Sequence, residues 1–303
     1  MQPVISVIIC THNPRRDYLE RVLQALNEQI LPQEFWELLL IDNASEQVLS
    51  EEIDLSWHPR NRCIREEQLG LTSARLRGIK EAVAKILVFV DDDNVLDKDY
   101  LEVTLKISKN WPILGAWSGQ IRPDFEEQPP DWTKPYWAML AIREFEQNQW
   151  SNLRFSTKTT PWGAGLCVRK VVAQKYAELV YNQPERATLG RKGNQLLSCE
   201  DNDLALTSCD IGLGTGLFTS LKLTHLISAY RLQENHLLRL AQGMGYSHTI
   251  LNFFQQGKLP DKQSWPEKLL QYYQSWQMDS RTRRLHLAFQ KGIKLALKEL
   301  IAR

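Results

Sequence analysis

The stretch Ile86-Leu87-Val88-Phe89-Val90-Asp91-Asp92-Asp93 sets an apolar run directly against three carboxylates. A short continuous apolar run of this kind reads as a strand buried on both faces, as in parallel sheets covered by helices. Adjacent negative charges at its carboxyl end repel one another, and a fold keeps them there chiefly when something positive compensates, such as a divalent metal. In open α/β sheets that edge is also where ligands bind. The competing reading is a solvated acidic turn. Alternation along the chain points Asp91 and Asp93 to one side and turns Asp92 away.

Moving outward, Gly70-Leu71-Thr72 precedes Ala74, Leu76, Ile79, Ala82 and Val83 at helical spacing. Further upstream, Val4 to Cys10, Trp36 to Ile41 and Arg62 to Glu66 read as strands, and Arg16 to Gln29 reads as a helix. This rhythm signals βαβ units, and right-handed crossovers would gather the loops after Cys10, Ile41, Glu66 and Val90 along one edge. That edge would hold Thr11, Asn13, Asp42, Asn43 and Asp91 to Asp93. Downstream, Pro123, Pro129, Pro130 and Pro135 alternate with Trp117, Trp132, Tyr136 and Trp137, which predicts loops over a cleft. Gly163-Ala164-Gly165 leads into a strand from Leu166 to Arg169 and then a helix. The polar run from Gly190 to Gln195 reads as mobile, Leu221 to Ile227 as a strand, and the chain from about Arg231 as helical.

Composition narrows the function classes. With 37 Lys+Arg against 36 Asp+Glu there is no overall basic field, so nucleic acid is not an expected partner. Cys10, Cys63, Cys167, Cys199 and Cys209 are odd in number and never spaced Cys-x-x-Cys, which argues against a disulfide framework or a zinc site. No apolar stretch is long enough to span a bilayer, and the first residues run straight into a strand, so a cytoplasmic location is expected.

Hard oxygen ligands without cysteine suit Mg²⁺ or Mn²⁺, which keep open positions for phosphate oxygens, so a diphosphate is the natural third party at Asp91 and Asp93. Asp42 could accept hydrogen bonds from a ribose or a base edge, or could cap the next helix. Arg75 and Arg77 could grip phosphate or simply sit on a helix surface. Glu200-Asp201-Asn202-Asp203 starts an amphipathic stretch ending at Gly212. Its acids complement a helix dipole, or supply the proton acceptor that a metal-held leaving group requires, with Asp201 best placed. His225 is a core histidine or a metal ligand.

Taken together, these segments resemble the family 2 glycosyltransferases of the GT-A fold. Val4 to Asn13 is similar to the family's opening strand and nucleotide loop. Leu40-Ile41-Asp42-Asn43-Ala44-Ser45 resembles its second strand, and Gly70 to Arg75 with Gly78-Ile79 resembles the helix before the DxD strand. Val88 to Asp93 resembles the DxD itself, and Glu200-Asp201 the Glu-Asp pair. The fold this implies is α/β, GT-A: a Rossmann-like, mostly parallel sheet flanked by helices, with a helical C-terminal extension.

By that resemblance Thr11, Asn13 and Asp42 would meet the nucleoside, with Arg75, Asp91, Asp92 and Glu200 also on the nucleotide-sugar. Asp93, with Asp91 and His225, would hold Mn²⁺ or Mg²⁺. Gly163 and Gly165 would line the sugar and acceptor pocket, Arg231 would lie near the diphosphate, and Asp201 would be the base. The expected catalytic domain is 1–230, with a nucleotide-binding half over 1–94 and an acceptor-binding half over 95–230, followed by a helical region over 231–303. The activity implied is inverting transfer of one sugar from a nucleotide-diphosphate sugar to a glycan or lipid-linked acceptor hydroxyl in polysaccharide biosynthesis. A processive polymerase is disfavoured, because the Gln-x-x-Arg-Trp motif and spanning helices are missing. A sugar nucleotidyltransferase and a non-catalytic nucleotide-sugar binder remain as alternatives. His12-Asn13-Pro14-Arg15-Arg16 stands where the first of these would carry a triphosphate loop. Finally, the basic amphipathic stretch from Arg281 to Ile301 is expected either to touch an anionic membrane, at the inner face of the plasma membrane, or to pack on the catalytic unit.

Overall fold

The computed structural model describes residues 2–154, 158–191, 193, 196–259 and 265–302. Its strands are β1 (Ile5–Thr11), β2 (Trp36–Asn43), β3 (Asn61–Glu66), β4 (Ile86–Asp91), β5 (Asn94–Leu96), β6 (Leu114–Phe125), β7 (Gln149–Ser151), β8 (Cys167–Arg169) and β9 (Gly214–Ile227). Its helices are α1 (Arg16–Asn27), α2 (Leu71–Glu81), α3 (Tyr100–Asn110), α4 (Lys170–Asn182), α5 (Glu200–Asp210), α6 (Glu234–Gln256), α7 (Trp265–Gln277) and α8 (Ser280–Ala302).

The strands form one sheet in the order β3-β2-β1-β4-β8-β6-β9-β5, with β7 also on β9. β3, β2, β1 and β4 run parallel, so their carboxyl ends share one edge as the βαβ rhythm requires. Beyond β4 the sheet is mixed. β8 lies antiparallel between β4 and β6, whereas β6 and β9 are parallel to each other.

Both faces of β2, β1 and β4 are covered, which is why these strands are mostly apolar without alternation, whereas the edge strand β3 is polar and partly exposed. Ile5, Val7 and Ile9 join the core beneath α1 and α3, while Ile8 and Cys10 enter the core shared with α2, α4 and α5. Phe89 and Leu87 of β4 face that second core, and Val88 and Val90 face the first.

The C-terminal helices add separate cores. Leu232, Leu237, Leu240, Ala241 and Leu285 pack with Leu140 and Ile142, and Ile250, Leu251, Ala296 and Leu300 pack with Leu189 and Cys199. α6 and α8 meet backbone to backbone: a Cβ on Gly245 would lie 2.2 Å from the Phe289 carbonyl oxygen, and one on Gly292 would lie 2.0 Å from that of Gln242. Small residues are what permit the approach. No described helix is long and apolar enough to cross a membrane.

The proline- and tryptophan-rich middle is more ordered than a set of loops. β6 covers its start, and a 3-10 segment, Asp131–Leu140, admits Pro135. Gly190 is buried, and the Arg191 carbonyl accepts the amide of Leu71, so part of the stretch expected to be mobile is anchored. Lys192, Asn194 and Gln195 of that stretch lie outside the described residues. All five cysteines are free.

Candidate active site

A cavity of about 900 Å³ opens over the carboxyl edge of β1 and β4 and extends to α5 and α6. Thr11, Arg75, Asp91, Asp92, Asp93, Gly163, Glu200, Asp201, His225 and Arg231 all line it. Residues far apart in sequence therefore meet in one place.

The triad does not alternate as expected. β4 ends at Asp91 and the chain turns at Asp92 and Asp93, so the strand pleat that would send Asp92 away no longer applies. Asp92 instead accepts the hydroxyl of Thr11, the last residue of β1. Burial and the neighbouring Asp93 push Asp92 up to about 7, against the hydrogen bond from Thr11, and burial also raises Asp91. Asp93 goes the other way. Burial opposes its charge, but His225, Arg231 and Arg191 hold it well below the usual carboxylate range.

His225 reaches Asp93 from β9, with Nε2 lying 3.2 Å from Oδ2, while Arg231 Nη1 donates to Oδ2 at 2.9 Å and lies 2.9 Å from the same imidazole nitrogen. The pairing of β5 with β9, Asn94 opposite His225, sets this contact. Asp93 Oδ2 and His225 Nε2 thus converge from different elements where a guanidinium now supplies the positive charge, and with the imidazole neutral and Nε2 unprotonated both would offer lone pairs. Their separation is close to the ~3.0 Å edge of an octahedron with ~2.1 Å bonds; the carboxylate suits Mn²⁺ or Mg²⁺, and the imidazole nitrogen favours the transition ion, Mn²⁺, over Mg²⁺. Among the described residues no three His, Cys, Asp or Glu side chains converge on one point. An ion here would take its remaining ligands from water or a bound phosphate.

Arg75 joins this corner to the second acidic cluster. Its Nη1 donates to Glu200 at 2.8 Å, and its Nη2 lies 3.5 Å from Asp91 Oδ1. Burial works against its charge, but Glu200, Asp91 and Asp201 hold the guanidinium above its ordinary value, and the Phe89 ring lies beneath it. Burial pushes Glu200 up to about 7 even though Arg75 opposes the shift. Arg77 turns elsewhere, to Glu81 and Glu66.

α5 begins after Cys199, whose φ of 82° is the left-handed conformation that a side chain disfavours. Asp201 Oδ2 accepts the backbone amide of Gly163, and its Oδ1 accepts that of Asn202. A Cβ on Gly163 would come within 2.8 Å of Arg75 Nη2 and 3.1 Å of Asp201 Oδ2, so glycine is what lets the loop meet both groups. Asp203, two residues on, is instead buried against Arg186 at 2.6 Å. It is a packing ion pair, and it does not line the cavity.

Three expected site residues are not brought to the cavity wall. Asn13 adopts φ 49° and fastens the loop after β1 to the loop after β2: its amide donates to Ser45, and its Oδ1 accepts the Glu46 amide. Asp42 is buried, its oxygens taken by the Ser45 and Leu49 amides and by Arg65 at 2.9 Å. It organises that loop rather than capping an α-helix. Gly165 lies beneath the floor, where its carbonyl accepts the Tyr100 hydroxyl and a Cβ would collide with that same ring.

Sequence reasoning missed the far wall. Leu240, Met244, His248, Leu251 and Asn252 of α6 line the cavity, facing Trp162, Met139 and Leu206. Burial lowers the pKa of His248 while Asp201 raises it, which puts the imidazole within electrostatic reach of that carboxylate. The signal was present in Gly243 and Gly245: mid-helix glycines mark close approach, and α6 is buried on several sides.

The sequence profile described as Glycosyl transferase family 2 matches residues 6–165. The chain is 29% identical over 103 residues to the glycosyltransferase AglE of Haloferax volcanii, and 31% identical over 111 residues to the putative teichuronic acid biosynthesis glycosyltransferase TuaG of Bacillus subtilis. These matches cover 33% and 35% of this chain but only 34% and 42% of those proteins. Among solved structures, the mannosyltransferase PcManGT of Pyrobaculum calidifontis, in complex with GDP-Man and Mn²⁺, superposes with a TM-score of 0.56 at 19% identity. That alignment covers 100% of this chain and 75% of that one. S. aureus TarS 1–349 in complex with UDP-GlcNAc gives a TM-score of 0.53 at 14% identity, covering 97% and 89%. The likeness establishes a GT-A fold. Because the profile runs from β1 to the Gly163–Gly165 loop, more than half of the 303 residues, the chain belongs to glycosyl transferase family 2.

Proposed function

We propose that the protein transfers one sugar from a nucleotide-diphosphate donor to an acceptor hydroxyl by a single displacement that inverts the anomeric centre. The observation that carries this reading is the arrangement of charge in one cavity. At one end the Asp93 carboxylate and the His225 imidazole meet beside Arg231, with Asp91 and Asp92 in the same cavity, and at the other Asp201 stands without an ion-pair partner among the described residues. Asp93 and His225, with Asp91 alongside, would hold Mn²⁺ or Mg²⁺. The ion would neutralise the charge that grows on the departing diphosphate. Arg231 would turn from Asp93 to the phosphates, as a guanidinium matches their oxygens. Thr11, Asp91 and Asp92 would face the nucleoside and ribose, while Asp42 and Asn13 hold the loops that frame them.

At the other end, the acceptor oxygen attacks the anomeric carbon as the bond to the diphosphate oxygen breaks, and the acceptor proton passes to Asp201. The amides of Gly163 and Asn202 keep that carboxylate oriented. Residues 1–94 thus serve the donor and 95–230 chiefly the acceptor, with His225 and Arg231 reaching back to the donor's diphosphate end and α6 of the region 231–303 closing the far wall. An acceptor on a glycan or a lipid-linked glycan fits the mixed apolar and polar character of that wall.

The test is stereochemical. Sugar nucleotides with uridine and guanosine bases are incubated with Mn²⁺, and the anomeric configuration of the released or transferred sugar is followed by proton NMR. Inversion is expected. Retention would overturn the single displacement, and a nucleoside triphosphate requirement would favour nucleotidyl transfer instead.

A further inference from the structure

The outer face of the C-terminal helices carries a pattern that the cleft does not use. α8 contains six Arg or Lys residues against the single Glu299, in a chain whose overall net charge is only +1. Leu285, Gly292, Ala296 and Leu300 are buried on its inner side. On the opposite side Leu287, Lys291, Lys294, Leu295, Lys298 and Ile301 are exposed, and at ~100° per residue they fall within an arc of about 120°. Glu299 lies outside this arc and accepts the Tyr246 hydroxyl of α6. The three lysines have no ion-pair partner among the described residues, whereas Arg281 and Arg284 are both paired with Glu234.

α7 continues the pattern. Trp265, Leu269, Tyr273 and Trp276 are 75%, 51%, 57% and 68% exposed, and their spacing places them within an arc of about 80°. Arg283 donates to the carbonyls of Ser275, Trp276 and Met278, which locks the end of α7 to the start of α8.

Charge decides what covers this hairpin. A second copy joined by a two-fold axis would set lysine against lysine, since the exposed stripe of α8 has no carboxylate to answer them. A polyanion in solution would satisfy the lysines but leave two tryptophans and the leucines in water. A bilayer surface satisfies both, with anionic headgroups over the lysines and the interfacial layer receiving Trp, Tyr and Leu. We propose that the α7–α8 hairpin docks on an anionic phospholipid surface. The opposite side of α6, against which α8 packs, lines the cavity, so docking would hold the cleft roughly two helix layers, ~20 Å, from the headgroups.

The experiment is co-sedimentation of the full chain with vesicles of phosphatidylcholine alone or mixed with phosphatidylglycerol. Removing α8 is avoided because it would uncover α6. Binding is expected to the mixed vesicles only, to weaken with salt, and to fall about tenfold or more in K291E/K294E/K298E. W265S/W276S should weaken binding while its salt dependence persists, and both variants should melt like the parent because the altered residues are exposed. Failure to bind the mixed vesicles would overturn the proposal. So would equal binding by the triple glutamate variant, or a dimer in analytical ultracentrifugation that this variant breaks apart.

Discussion

The two acidic clusters of the cleft look alike in sequence and differ in how the fold neutralises them. In the first turn of α5, Glu200 is answered by Arg75 and Asp203 by Arg186, both at hydrogen-bond distance, which leaves Asp201 with backbone amides alone. At the end of β4, three carboxylates share Arg75 at 3.5 Å, Arg231 and His225, and burial raises two of them toward protonation. One cluster has its surplus charge cancelled except at a single oxygen pair, and the other is left short of positive charge. That difference separates a proton acceptor from a cation site, a distinction that the count of acids could not make.

The largest effect should come from the unpaired member of the α5 cluster. Asp201→Asn keeps the shape and can still accept one of the two backbone amides, but removes the basic oxygen, so transfer should fall about 10²–10⁴-fold while donor binding by calorimetry stays within error. If Asp203→Asn cost as much in turnover without loss of stability, the assignment within α5 would be broken.

Arg75 sharpens the comparison, since it is the cation the clusters share. Arg75→Leu leaves Glu200 buried without its partner and should cost about 3–5 kcal/mol in denaturant unfolding, much of it recovered in Arg75→Leu/Glu200→Leu. A single variant as stable as the parent would mean that the bridge does not restrain either cluster.

A smaller effect is expected from pH. Burial raises Glu200 from 4.5 to about 7, so its contribution to stability is fully present below pH 4.5 and is lost as pH rises through 7. Glu200→Gln, which stays neutral, should flatten that part of the Tm profile between pH 4.5 and 7. Identical profiles for the two proteins would contradict the shift.

Much of the parallel half was legible because β1, β2 and β4 are largely apolar runs that end in Thr11, Asp42-Asn43 and Asp91, so each strand declares its length and its polar tip together. α2 was legible from its period. What was not legible depended on contacts between distant segments. Asp42 and Asn13 carry the right chemistry at the right edge, but Arg65, Ser45 and Glu46 occupy them, and no spacing rule predicts those partners. The position of Asp92 depended on where β4 stops, since the turn after Asp91 brings Asp92 to the cleft along with its neighbours. α3 follows Asp97-Lys98-Asp99 so closely that the acidic strand end masked its start. The α6 wall was hidden because its glycines and apolar residues read equally well as core, and only the fold brings His248 near Asp201.

The most direct test concerns the end of β4. With Mn²⁺ and a uridine or guanosine sugar donor, the apparent stability of the protein should rise by about 2.7 kcal/mol at a donor concentration 100 times its Kd, as binding only to the folded state requires. Asp93→Asn should abolish the metal-dependent part of that rise, whereas Asp201→Asn should keep it. An undiminished, metal-dependent stabilisation of the Asp93→Asn protein would contradict the account.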